Sequence, residues 1–449
     1  MFFLLRPRAF APRASAPLLR PAFLRGSSRN FAWSLPRRSQ PPPTEIPNAF
    51  REIPKFPPPP KSLLHDLDFP ATGRHILFAV AGSLLAFGIA AYNTNVVTDF
   101  WFKYLSTPSN FPGGNILGAM LPPPTTGNMR MARASVMIKK FQEKVDALQQ
   151  DIASYPILVK SVIIHSYARV AEAWLNASDG RRAAWGICAV NGLVWFAWQI
   201  PRLKPFMHMH FAHDPLSGRS YTMLTSMFSH ASFIHLLFNC MTLSSLAATT
   251  SAWMTREQAY ASSRVQEADA TYHFLAFYLS AGLISSLISH LVTTRIIWPR
   301  LIHKLITNPP KPGPQPAPTS TRLMSSARAP AVAGAEGGGA LTEGRILPSL
   351  GASGAIYGAV VLAALAFPEA EVSLIFPPTP AFPIQYGVGG LVLLDMVGAW
   401  RGWRLFDHYA HMGGAAFGAA YYMCGMKWWD ACRSSLARDK AGTRKEERG

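Results

Sequence analysis

The sequence predicts an all-α polytopic membrane protein. Three observations carry that expectation. Charged residues make up 15% of the chain and hydrophobic ones 49%, and the charges avoid several long blocks. Seven apolar segments are each about as long as a bilayer core requires, roughly 20 residues of helix. Inside some of those segments sit a serine, histidines, an asparagine and an aspartate, groups that are costly at membrane depth and therefore candidates for function.

The elements follow in order. Residues 1–44 hold eight arginines and no Asp or Glu, the first acid being Glu45. Serine and alanine are interspersed, and this composition reads as a mitochondrial or plastid presequence, the resemblance given below favouring the mitochondrial one. Residues 45–74 form a proline-rich linker expected to be extended and disordered. The first span covers residues 75–92. Residues 93–182 are polar, with helical periodicity over 131–150 and 152–174, and read as amphipathic helices on a membrane surface or against the spans.

The second span, 183–200, ends at Pro201. The third, 223–248, carries His230, His235 and Asn239, and the fourth covers 272–292. A long loop, 295–350, follows, whose part over 308–340 is rich in Pro, Ala, Ser and Gly and is expected to be disordered. The fifth span, 351–367, opens on Gly351-Ala352-Ser353-Gly354 and is closed by Pro368. The sixth, 384–400, contains Asp395, and the seventh, 406–426, contains His411. Residues 427–449 read as a charged, mobile tail. The arrangement is one helix, a linker region, and a six-helix bundle over 183–426.

The formal net charge of +19 fits a membrane surface with anionic lipids, and no nucleic-acid-binding module is visible. The four cysteines, Cys188, Cys240, Cys424 and Cys432, form no Cys-x-x-Cys pair and read as small buried apolar residues. His208, His210 and His213 have a spacing open to copper, but no fourth ligand is evident and an interfacial loop is the better reading. No metal and no cofactor are expected.

The remaining polar groups make a chemical inventory. Ser353 sits at the first turn of its helix, where unpaired N–H groups and the positive helix end favour developing negative charge. A hydroxyl needs a base to become a useful nucleophile, and His411 is the best candidate. Tyr357 follows Ser353 by one turn and is placed to pack on the His411 ring. No acid is obviously placed as a third member: Asp407 precedes His411 by one turn, and a Ser–His dyad is preferred. His235 and Asn239 are four apart, share one helix face, and are able to donate hydrogen bonds to an oxyanion. Gly414 and Gly418 would let the helix of His411 approach that of Ser353.

These motifs resemble those of the rhomboid intramembrane serine proteases. Gly351-Ala352-Ser353-Gly354 is similar to their GxSG nucleophile motif, Ala410-His411-Met412-Gly413-Gly414 to their AHxxG histidine motif, and His235 with Asn239 to their His-x-x-x-Asn. His230 matches a histidine common just upstream. The string from Phe406 to Gly414 further resembles the mitochondrial, presenilin-associated rhomboid-like type, whose layout is one extra transmembrane helix before a six-helix core (1+6).

The resemblance implies Ser353 as nucleophile and His411 as general base. It implies His235 and Asn239 as oxyanion donors, with Tyr357 and His230 in support. It also implies a multi-pass protein of the mitochondrial inner membrane that cleaves transmembrane segments of other membrane proteins, a mitochondrial dynamin-like GTPase among the possible substrates, without metal or cofactor. The competing classes are a non-catalytic rhomboid-like binder or escort, which typically lacks the serine or the histidine, and a transporter, which predicts charges paired across spans.

Overall fold

A computed structural model describes residues 3–5, 70–107, 124–260, 265–307, 346–374, 378–403 and 406–446. The presequence and linker expected over 1–74 lie outside the described residues, apart from Phe3–Leu5 and residues 70–74.

The described chain is mostly helical. In order it runs β1 (Phe3–Leu5), α1 (Gly73–Ser106), α2 (Thr126–Asp151), α3 (Ile157–Asn176), α4 (Asp179–Gln199), α5 (Lys204–His210), α6 (Thr222–Thr225), α7 (Phe233–Tyr260), α8 (Thr271–Val292) and α9 (Trp298–Thr307). Then come α10 (Ser353–Ala366), β2 (Glu371–Leu374), β3 (Phe382–Pro383), α11 (Ile384–Arg401), α12 (His408–Ala420) and α13 (Met426–Glu446). A small antiparallel sheet of order β1-β2-β3 departs from a purely helical chain. It forms where Pro368, Pro378, Pro380 and Pro383 deny the backbone the N–H groups a helix needs.

Several expected boundaries are corrected. The first span was expected to stop at residue 92, but α1 continues to Ser106, supported by an Asp99–Lys103 pair at 2.8 Å one turn apart. The third span was expected from residue 223. Its long helix starts at Phe233 instead, because Ser232 Oγ accepts the His235 N–H at 3.2 Å and sets the helix start there. His230 therefore precedes the helix. The loop expected from 295 begins only after Thr307, since α8 runs through a π-helical turn at Thr293–Ile297 into α9.

The tail expected to be mobile from 427 is helical to Glu446. Its Trp429 and Arg433 are buried, and Arg433 donates to Asn95 Oδ1 and to the carbonyls of Val265 and Gln266. Hydropathy misses such a segment because polar contacts hold it.

Among the described residues three helical stretches are long and apolar enough to cross a membrane: Gly73–Ser106, Phe233–Tyr260 and Thr271–Lys304, with mean hydropathy 1.8, 1.3 and 1.7. The number rises to four if Asp179–Gln199 with Pro201–His210, bent by 96°, makes one span. Ser353–Ala366 is apolar but shorter.

α10 lies at the centre, packed by α7, α8, α11 and α12, and α1 packs on α8 and α13. Nearly every residue of α10 is buried. Helices in lipid gain little from the hydrophobic effect on meeting each other, so close packing and hydrogen bonds must hold them. Small residues supply both here. A Cβ on Gly418 would lie 2.2 Å from the Gly358 carbonyl oxygen, and one on Gly354 would collide with Ser285. Ser285 Oγ donates to the Ala410 carbonyl at 2.7 Å, tying α8 to α12 beside His411.

Candidate active site

Ser353 is the first residue of α10 and is half-buried. The chain enters it through Gly351, whose φ of 127° suits glycine. The Gly351 N–H donates to the Ser226 carbonyl at 2.9 Å. A side chain at Gly351 would also meet His235, whose Cε1 lies 3.0 Å from an ideal Cβ there. The glycine thus lets the turn form and lets the His235 ring close over the approach to Ser353.

His411 lies on the first turn of α12, whose N-terminus is capped by Asp407 accepting the Ala410 N–H at 3.0 Å. The Asp407 carboxylate also accepts Ser289 Oγ at 2.6 Å and Ser349 Oγ at 2.8 Å. Asp407 is therefore a cap and a tie to the segment that leads into Ser353, and it makes no contact with the His411 ring.

The Nε2 of His411 is 3.0 Å from Ser353 Oγ. On its other side, His411 Nδ1 is 3.1 and 3.2 Å from the two oxygens of Asp395, so the imidazole lies between a hydroxyl and a carboxylate. The sequence placed no acid beside the preferred Ser–His dyad; in the folded chain the carboxylate that meets the His411 ring is that of Asp395, on α11. Three groups converge on that carboxylate. Tyr357 Oη donates to Oδ2, His408 Nδ1 lies 2.6 Å from Oδ1, and His411 Nδ1 contacts both. The Tyr357 ring stacks on His411, centroids 4.8 Å apart at 13°. Gly398 makes room for His408, whose ring would sit 2.5 Å from a Cβ at that position.

Sequence reasoning noted Asp395 in its span but did not bring it to His411, and it missed His408. A signal existed: Asp395 is the only carboxylate in its apolar run, and an intramembrane charge calls for a partner. What one chain cannot reveal is that α11 and α12 turn their faces together.

His235 and Asn239 share the first turns of α7. His235 reaches the Ser353 turn as described. Asn239 is buried, and its Nδ2 donates to the His235 carbonyl at 2.8 Å, within its own helix. His230 is fully buried, its ring 5.1 Å from that of His235 in an edge arrangement. The three loop histidines go to different partners. His208 meets the Trp198 ring at 4.7 Å, His210 Nδ1 meets Tyr221 Oη at 2.7 Å, and His213 Nδ1 meets Thr222 Oγ1 at 2.8 Å. Among the described residues no group of three or more His, Cys, Asp or Glu is placed to hold a metal ion.

A hydroxyl, an imidazole and a carboxylate in line, with donors near the hydroxyl, can activate an oxygen nucleophile. Residues 217–298 and 320–428 match the rhomboid domain. This chain is a rhomboid-type protein. The resemblance read from the motifs, to the mitochondrial rhomboid type, is met by its curated relatives. The zebrafish (Danio rerio) presenilin-associated rhomboid-like protein A, mitochondrial, is 29% identical over 260 residues, 58% of this chain and 52% of its own length. The human presenilin-associated rhomboid-like protein, mitochondrial, is 30% identical over 253 residues, 56% and 50%. Rhomboid protein 1, mitochondrial, of Saccharomyces cerevisiae is 23% identical over 249 residues, 54% and 52%. The rhomboid-type chain thus spans about half the length of the curated relatives it matches. No solved structure matches it.

Proposed function

We propose that this rhomboid-type protein is an intramembrane serine endopeptidase of the mitochondrial inner membrane. It is read as multi-pass in the 1+6 arrangement, α1 being the extra helix. Its substrates are transmembrane segments of other membrane proteins. The observation that carries the reading is the alignment of Ser353 Oγ, the His411 ring and the Asp395 carboxylate.

The chemistry follows from the geometry. His411 Nε2 takes the Ser353 proton as Oγ attacks the scissile carbonyl carbon, and the carbonyl oxygen becomes an oxyanion. The Asp395 carboxylate keeps the Nδ1 proton in place and stabilises the imidazolium. The Ser353 N–H is at a helix start and has no intrahelical partner, so it is free to donate to the oxyanion; His235 donates beside it. Asn239 joins them by releasing the His235 carbonyl. The intermediate collapses as the imidazolium hands its proton to the leaving amine, breaking the C–N bond and leaving an acyl-Ser353 ester. A water deprotonated by His411 attacks that ester, and the proton returns to Oγ as the acid product leaves.

The test is labelling of the detergent-purified protein with a fluorophosphonate or isocoumarin serine probe. Labelling of wild type at Ser353, lost in Ser353→Ala and His411→Ala, is the expected outcome. A folded wild type that takes no label, or one labelled equally in His411→Ala, would sink the reading and favour a non-catalytic binder of membrane helices.

A further inference from the structure

The proposed chemistry uses nothing at the other end of the bundle. Arg256 is near the C-terminus of α7, 21 residues beyond His235, which is about 30 Å along a helix. There a cavity of about 450 Å³ opens between α2, the start of α4 and the last turns of α7. Four arginines line it, Arg130, Arg133, Arg182 and Arg256, against one carboxylate, Asp179.

The acids present leave guanidinium N–H groups unbonded, although the buried Glu267 carboxylate lies within electrostatic reach of Arg130. Asp179 is shared by Arg133 at 3.0 Å, Arg182 at 3.3 Å and Arg130 at 3.5 Å. Arg133 spends its second nitrogen on Asp269 at 2.8 Å. Arg182 Nε donates to the Trp174 carbonyl at 3.0 Å. Among the described residues Arg256 pairs with its sequence neighbour Glu257, at 3.6 Å, and lies over the Phe367 ring. Among the described residues, Nε and Nη2 of Arg130 and Nε of Arg256 are buried without a hydrogen-bond partner. A buried cationic donor left unpaired costs more than a made bond returns, so three such donors beside one cavity call for an anion.

The setting selects the anion. The cavity lies at the ends of α4 and α7, at headgroup depth for helices that cross a bilayer, and the N-terminus of α4 adds a positive dipole end. Leu175, at the end of α3, lines it, and α3 exposes Ile157, Leu158, Val162 and Val170, an apolar face suited to the boundary between headgroups and acyl chains. Basic pockets between membrane helices take anionic headgroups. We infer that this cavity binds the phosphate group of an anionic phospholipid, with Arg130 and Arg256 as the donors that await it.

The experiment uses the full chain in neutral detergent and follows its thermal unfolding midpoint. Dioctanoyl phosphatidylglycerol, dioctanoyl phosphatidylcholine and inorganic phosphate are titrated separately. Phosphatidylglycerol raises the wild-type midpoint, and its half-effect concentration rises tenfold or more in Arg130→Gln/Arg256→Gln. Arg256→Gln alone, which keeps all three arginine partners of Asp179, shows at least a threefold rise and guards against misfolding of the double variant. Serine-probe labelling is unchanged in both, so the result stands or falls apart from the proposed protease activity. Equal titrations of wild type and Arg256→Gln overturn the assignment. So does a phosphatidylcholine response equal to that of phosphatidylglycerol. A response to inorganic phosphate equal to that of the lipid also overturns it, in favour of a soluble anion.

Discussion

Gly414 and Gly354 touch backbone to backbone: a Cβ on Gly414 would lie 2.0 Å from the Gly354 carbonyl oxygen. That contact sets the distance between α12 and α10, and with it the 3.0 Å between His411 and Ser353. The obstacle is backbone, so a side chain there cannot simply rotate away. Gly414→Ala is expected to lower stability by at least about 1–3 kcal/mol, the usual cost of overpacking, and to abolish serine-probe labelling. Gly389→Ala, where nothing lies within 4 Å, is the control and should change neither. Thermal unfolding and labelling of the two variants side by side decide the matter.

Asp395→Asn removes the charge behind His411 and keeps the shape. Turnover of a transmembrane substrate should fall roughly 10²–10⁴-fold, as expected when the base loses its tautomer and the stabilisation of its cation. Asp407→Asn keeps an N-cap and should cost far less activity, its effect falling on stability through the Ser289 and Ser349 hydroxyls that the carboxylate accepts. Similar losses from both would mean that neither acid is part of the proton transfer.

Tyr357→Phe separates two roles. The ring stacking on His411 remains, while the hydroxyl that donates to Asp395 is lost. A hydrogen bond to a charged group contributes about 1.5–3 kcal/mol, so a fall of roughly 10–100-fold in kcat with unchanged KM is expected. A rise in KM alone would assign Tyr357 to substrate binding.

Asn239→Ala should lose about 10²–10³-fold in rate, less than His411→Ala, because other oxyanion donors remain when one is removed. The Asn239 amide must also leave the His235 carbonyl before it serves. Equal and complete loss at both positions would count against that role.

His213 gives a pH prediction. It is buried beside His290 and His75, with Nε2 3.1 Å from His290 Nδ1, and the His75 and His290 rings stack at 3.9 Å. Burial first, then the charges of His290 and His75, hold its pKa down at about 3 against an ordinary 6.5. Between those values the unfolded chain binds a proton that the fold refuses, so the stability is complete above pH 6.5 and falls as pH drops towards 3. The limit is on the order of 1.4 kcal/mol per pH unit for one group. His213→Gln should flatten this acid limb of the unfolding midpoint. A limb of unchanged slope in that variant would place the acid sensitivity elsewhere. The consequence reaches the site, because the His213 backbone pairs with Ser349, and Ser349 Oγ donates to Asp407.

The sequence by itself determined the membrane class, the rhomboid resemblance, and the positions of Ser353, His411, His235, Asn239 and Tyr357. Those readings rest on local signals: hydropathy over a bilayer length, and short motifs whose residue types already state a chemistry. Three things were decided only in the folded chain. The carboxylate that meets the His411 ring is Asp395 rather than Asp407, because α11 and α12 close on each other across a connection whose angle no periodicity encodes. The tail is a helix rather than a mobile segment, because Arg433 finds Asn95 and two distant carbonyls, more than 150 positions away along the chain. Arg130 and Arg256, unremarkable among 43 basic residues, come to share one cavity. In each case the deciding energy lies in a contact between distant positions, and a single sequence shows the residues of such a contact but not the pairing.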